Sequence, residues 1–172
     1  LLARAYQRTS YLPGEIGQVD WWHLPVRVPL RDGVQAKAHA LVVTLPHSAA
    51  HAAFFTHRKT LHDFLPALLG CLARLGGAPS RLVLDNDTSM VVRVPGHRSR
   101  LHPEAAALFG ALRAKPVILG PRRPTSKGSV ERTVGYLETS FLPLRTFAGL
   151  EDLQVQHDSW AENIAYQRSP RR

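Results

Sequence analysis

The chain has 172 residues, 44% hydrophobic and 20% charged, a length that suits one domain with a proper apolar core. Its single cysteine, Cys71, excludes a disulfide framework and a cysteine-built zinc site. Its longest apolar runs, about ten residues, are too short to cross a bilayer. Lys and Arg number 22 against 13 Asp and Glu, giving a net charge of +9, so the expected partner is a polyanion, most simply nucleic acid.

Residues 1–14 read as an arm or linker ending in the breaker pair Pro13-Gly14. The stretch from Gly17 to Val28 is β-rich, with Val19, Trp21, Val26 and Val28 at strand spacing and Pro25 as an irregularity. Arg31-Asp32-Gly33 carries an Asp-Gly hairpin signal, followed by a second strand over Lys37–Leu45 and a short third over Ala50–Thr56. Lys59–Leu75 has apolar residues at helical intervals (Leu61, Phe64, Leu65, Leu68, Leu69, Leu72) and closes on Gly76-Gly77. Arg81–Asp85 is nearly all apolar until its last residue, as expected of a strand buried on both faces.

Asn86–Leu101 reads as irregular, Pro103–Ala114 as a helix and Lys115–Leu119 as a fifth strand. Gly120–Pro124 cannot be helical. A long helix starts near Ser126, carrying Val130, Val134, Leu137 and Phe141, and Leu150–Gln167 makes a last helix opened by Glu151-Asp152. Three strands followed by crossover units imply an α/β protein with a mixed five-stranded sheet and helices on both faces, the layout of the ribonuclease H-like fold. The core is expected over 15–168, with 169–172 as a tail into a further region. The start without Met suggests a fragment of a longer protein.

Three carboxylates fall where this layout makes elements converge. Asp20 lies in the first strand, Asp85 ends the buried strand at the carboxyl edge of the sheet, and Glu131 lies one turn into the long helix. Each alone has an ordinary explanation: a polar strand residue, an Asx turn, a glutamate favoured by the helix dipole. Together they form an electrostatic problem, since two unit charges 4 Å apart repel by roughly 4 kcal/mol at an effective dielectric near 20. Mg²⁺ or Mn²⁺, hard cations that take carboxylate and phosphate oxygens, remove it, and a pair of such ions activates the attacking and leaving oxygens of phosphoryl transfer. Around Glu131, the segment from Arg113 to Arg132 holds six basic residues (Arg113, Lys115, Arg122, Arg123, Lys127, Arg132) and no other acid, which suits phosphates beside a metal ligand.

The blocks Gly17-Gln18-Val19-Asp20-Trp21, Leu82-Val83-Leu84-Asp85-Asn86 and Pro124-Thr125-Ser126-Lys127-Gly128-Ser129-Val130-Glu131-Arg132 resemble the integrase core of DDE transposases and retroviral integrases. The 45 residues between Asp85 and Glu131 match the longer spacing of IstA-type transposases of bacterial insertion sequences. That resemblance spans roughly 13–168 and implies a metal-dependent polynucleotidyl transferase that cleaves DNA 3′ ends and transfers strands. It implies Asp20, Asp85 and Glu131 as catalytic metal ligands for two ions whose affinity depends on bound DNA, with Asn86 ordering Asp85. It also implies Arg122, Arg123, Lys127 and Arg132 as DNA contacts, and transposon ends and target DNA as partners. An AAA-plus ATPase helper, a multimer of the full-length protein, no membrane association and a place in the bacterial cytoplasm at the nucleoid complete the expectation. Asp87 and Thr88 depart from the leucine and lysine usual after Asp-Asn, and Asp87 is a competing carboxylate.

Other readings are a metal-dependent nuclease of the same fold and a non-catalytic DNA-binding relic; retention of all three acids weighs against the relic. His47 and His51 are four apart, but their Pro- and Ala-rich surroundings argue for a loop rather than a zinc site, and the histidines of so basic a protein are expected at the surface. Trp21 and Trp22 are expected to pack rather than stack on bases, with at least one buried.

Overall fold

The computed structural model describes residues 10–92, 100–119 and 128–167. Strand β1 (Ile16–Pro29) turns through 30–34 into β2 (Gln35–Thr44), which leads to β3 (His51–Thr56). Gly33 at φ 82° lets this turn close, with Leu30 and Val34 joined by a backbone hydrogen bond and the Asp32 carboxylate accepting from Val34 N–H. Helix α1 (Leu61–Arg74) follows, then β4 (Arg81–Leu84), a two-stranded ribbon of β5 (Val91–Val92) and β6 (Arg100–Leu101), α2 (Pro103–Ala111) and β7 (Lys115–Ile118). Helices α3 (Gly128–Tyr136) and α4 (Leu150–Trp160) each run on into a wider turn, over Leu137–Phe141 and Ala161–Ala165.

The main sheet has five strands in the order β3-β2-β1-β4-β7. β1 pairs antiparallel with β2 and β2 with β3, whereas β4 lies parallel to both β1 and β7. One face carries Val19, Trp21, Leu41, Val43, Leu82 and Leu84 against Phe64, Leu68, Cys71 and Leu72 of α1 and Phe109 of α2. The other carries Trp22, Val28, Ala40, Val42, Ala53 and Phe55 against Val130, Leu137, Phe141, Leu153 and Trp160. The mixed sheet with helices on both faces is therefore as the sequence implied, and Leu82, Val83 and Leu84 are all buried in its centre.

Local chemistry sets the start of α1. Thr60 caps it through a reciprocal pair with Asp63, each side chain accepting the other residue's backbone N–H.

The structure departs from the sequence reading in several places. The segment read as irregular contains the β5–β6 ribbon, too short to show a period. The four apolar β1 positions do not share a face: Val19 and Trp21 pack under α1, while Val26 and Val28 join the opposite cluster. Leu69 of α1, included in the apolar spacing, is 45% exposed. Both Trp21 and Trp22 are buried, in keeping with the expectation that they pack. Not all histidines are surface residues: His51, the first residue of β3, and His157 of α4 are 4% and 1% exposed, because both rings pack among aromatic neighbours that include Trp160 and one another.

Candidate active site

Parallel pairing of β1 with β4 ends at Val19↔Leu84, so Asp20 and Asp85 are the next residues on two adjoining strands. Strand β4 stops at Leu84, and Asp85, read from the sequence as its last residue, stands one place beyond its end. Alternation places Gln18, Asp20 and Trp22 on the face covered by α3 and α4, the side on which Trp22 packs. Asp20 is half-buried and Asp85 exposed. Each carboxylate accepts the following backbone N–H through Oδ1, from Trp21 at 3.0 Å and from Asn86 at 2.9 Å.

The third carboxylate arrives on α3, whose seat on the sheet is built from polar contacts. Gln18, buried in β1, accepts the backbone N–H groups of Ser129 and Val130 through Oε1, both at 3.1 Å. These are first-turn donors with no partner inside the helix, so a strand side chain supplies the cap. One turn on, the buried hydroxyls of Thr44 and Thr133 are 2.9 Å apart, and further along Trp22 Nε1 donates to Glu138 Oε1 at 2.9 Å. Four strand residues from Gln18 to Trp22 span about 13 Å. Nine helical residues from Ser129 to Glu138 span about 13.5 Å. The helix therefore runs alongside β1, and Glu131, exposed in its first turn, sits level with the stretch between Gln18 and Asp20.

All three carboxylates thus lie on elements that share one face, two of them as strand neighbours. Among the described residues no group of three or more His, Cys, Asp or Glu side chains stands close enough to hold a metal ion. As a donor set they fit a hard divalent cation in kind, being anionic oxygens only.

The competing acid, Asp87, has structural employment. It accepts from Ser89 N–H at 2.8 Å and pairs with Lys59 at 3.5 Å. Burial alone would raise its carboxyl, but the Ser89 hydrogen bonds and Lys59 prevail and hold it below the ordinary range. Ser89 in turn accepts from buried Trp21 Nε1 at 3.0 Å, which ties the loop after β4 to the core.

Of the expected DNA contacts, Arg132 is exposed on α3, its guanidinium donating to Ser129 Oγ at 3.3 Å. It lines a cleft of about 610 Å³ with Thr44, His51, Thr133, Tyr136 and Tyr166. Arg122, Arg123 and Lys127, and the Pro-rich loop that carries them, lie outside the described residues. Asn86 adjoins Asp85 and is half-buried. Sequence reasoning missed Gln18 and the Thr44–Thr133 pair; the available signal was a polar residue two places before Asp20 in an otherwise apolar strand.

The fold is similar to that of solved integrase catalytic core domains, a ribonuclease H-like fold. The HTLV-2 integrase catalytic core domain, solved in complex with magnesium in a dimeric form, aligns over 90% of this chain and 89% of its own at 20% identity, with a TM-score of 0.58. In sequence the chain is similar to insertion-sequence transposases. It is 27% identical over 164 residues to a transposase assigned to insertion sequence element IS5376 of Geobacillus stearothermophilus, and 26% identical over 155 residues to the transposase of IS21 from Pseudomonas aeruginosa. These alignments cover 92% and 90% of the chain but 39% of each relative, so it spans well under half of their length. No protein-family model matches the chain.

Proposed function

We propose that this chain is the catalytic core of an insertion-sequence transposase, performing divalent-metal-dependent cleavage of DNA 3′ ends and strand transfer. The observation that carries the reading is the juxtaposition of Asp20 and Asp85 at the end of the β1–β4 ladder, on the face where α3 brings Glu131. In this reading the three carboxylates hold Mg²⁺ or Mn²⁺, and such ions supply Lewis acidity to the attacking and leaving oxygens of an in-line displacement.

The chain's own residues do the positioning. Gln18, Thr44 and Trp22 fix the helix that carries Glu131, and the ladder fixes Asp20 against Asp85. Asn86 supports Asp85, and Arg132 with Arg122, Arg123 and Lys127 binds DNA phosphates around the site. The similarity to transposases brings transposon-end and target DNA as partners and a multimer as the working state, in the cytoplasm at the nucleoid. An AAA-plus helper belongs to the same reading, and so does the division into an arm over 1–14, a core over 15–168 and a tail.

The test is a strand-transfer assay on the full-length protein with Mg²⁺ or Mn²⁺. Asp20→Asn, Asp85→Asn and Glu131→Gln should each abolish cleavage and joining while far-UV dichroism and melting stay as in the parent. Activity retained in any one of them removes that residue from the site.

A further inference from the structure

The β1–β2 hairpin places basic residue types opposite one another twice, and at Arg27 and Lys37 the two are like charges. His23 pairs with His39 and Arg27 with Lys37 across the antiparallel ladder, and all four sit on the same face of the hairpin. The two imidazoles meet edge to face with centroids 4.8 Å apart. Like charges directly opposite destabilise a sheet, so the facing of Arg27 and Lys37 adds nothing to folding.

Between the pairs the register shifts, and the bulged segment Leu24-Pro25-Val26 leaves a recess of about 280 Å³ lined by His23, Arg27, Lys37 and His39. No acid is among the described residues that line the recess. Of the acids on neighbouring elements, Asp87 is paired with Lys59 and Asp63 closes the cap of α1. His57 adjoins the recess, its Nδ1 at 3.0 Å from the Lys37 carbonyl. Burial first, then the neighbouring His23, Lys59, Lys37 and His57, hold His39 below the ordinary histidine range.

We propose that this recess is a DNA-backbone binding site, in which Arg27 and Lys37 hold phosphates of a strand leading away from the carboxylates and His23 and His39 line its wall. The inference rests on the transposase reading for the choice of DNA as the polyanion. Three strand steps lead from Asp20 to His23, about 10 Å along β1, so the grip falls a nucleotide or two from the reacting phosphate. His23 points to the face opposite Asp20, but β4 pairs with β1 only as far as Val19, so among the described residues β1 has no ladder partner on that side beyond it and a strand can pass round it. A concave patch with no acid among its described lining residues, at that distance, accounts for the facing of Arg27 and Lys37 and for the bulge that opens the hairpin.

The test measures binding of the 172-residue chain to a fluorescein-labelled duplex of about 30 bp by anisotropy, at several salt concentrations between about 50 and 200 mM. Variants are the double substitution Arg27→Gln, Lys37→Gln and, because Arg27 also donates to the Gln35 carbonyl, Lys37→Gln alone. Losing two phosphate contacts should flatten the slope of log K against log salt by about 1.8, and the single variant by about 0.9. Affinity of the double variant should fall at least about tenfold at about 100 mM salt. The melting temperature should hold or rise as the repulsion is relieved, the opposite of what a merely structural role would give.

An unchanged slope in both variants overturns the proposal, as does a slope change that tracks loss of melting temperature. Divalent-dependent cleavage by the parent and by Asp85→Asn is read in parallel. Cleavage that depends on Asp85 with patch variants binding normally sinks the patch alone. Cleavage that survives Asp85→Asn sinks the catalytic reading and leaves the binding slopes to decide the patch.

Discussion

Replacing Gln18 with Leu keeps the buried volume close to the original but removes the acceptor for two backbone N–H groups at the start of α3. A buried donor left unsatisfied costs about 1–3 kcal/mol, and a lost helix cap about 1 kcal/mol. Some of that is recovered as the first turn frays to solvent, so the expected loss is about 2–4 kcal/mol. For a chain of this size each kcal/mol moves the melting point by about 2–4 °C, which predicts a drop of about 4–16 °C. The same fraying displaces Glu131 in that turn, so Mn²⁺ affinity measured by calorimetry should fall about 10- to 100-fold, as when a metal ligand's support is removed. Gln18→Glu keeps an acceptor and suits the helix dipole but buries a charge, and should fall between Leu and the parent. A Leu variant within about 1 kcal/mol of the parent in urea unfolding, with unchanged Mn²⁺ affinity, would refute the view that this side chain seats the helix.

Stability should decline in mildly acidic buffer because of His51. Burial, then neighbouring His157, push its imidazole down to about 4, so between 6.5 and 4 the unfolded chain binds a proton that the folded chain does not. The contribution is complete above pH 6.5 and is lost toward pH 4, by up to about 3 kcal/mol. Urea unfolding of the parent and His51→Gln at about pH 7.5, 6 and 5 checks this, and parallel curves would refute it. A separate loss should follow at lower pH from Asp158. Burial alone would raise its carboxyl, but hydrogen bonds from His157 and Arg74 hold it far below the usual range.

Gly70→Ala should destabilise by about 1–3 kcal/mol despite the gain of about 1 kcal/mol in helix propensity, since the added Cβ would lie 2.7 Å from Phe54 Cε2 and nearer still to Cδ2. A raised melting point would show that the ring yields freely. Lys127→Ala should flatten the salt dependence of DNA binding by about one unit of slope; an unaltered slope means that it touches no phosphate.

Period and punctuation revealed most of the fold in advance. The Asp32-Gly33 turn, the apolar run Leu82–Leu84 and the helical spacing around Phe64 and Leu137 are local features, set by which side chains must leave water and which backbone angles a turn needs. The β5–β6 ribbon could not be read, because two residues per strand carry no period. Nor could the burial of His51 and His157, since an imidazole goes inside only when a particular aromatic neighbourhood receives it.

The candidate acids divide in the same way. Sequence by itself identified Asp20, Asp85 and Glu131 as candidate acids, because a carboxylate in or beside an apolar strand, or in a helix's first turn after a basic loop, stands out in one dimension. Only the tertiary structure decided how their elements meet. The register Val19↔Leu84 makes two of them neighbours, and the Gln18 cap brings the third alongside from more than a hundred residues away. The pairing of bases across the β1–β2 hairpin was equally hidden, because which residue faces which depends on a register shift around Pro25 that only the folded ladder reveals. Local propensity depends on near neighbours, whereas a site depends on distances between segments, and those are set by the packing of the whole chain.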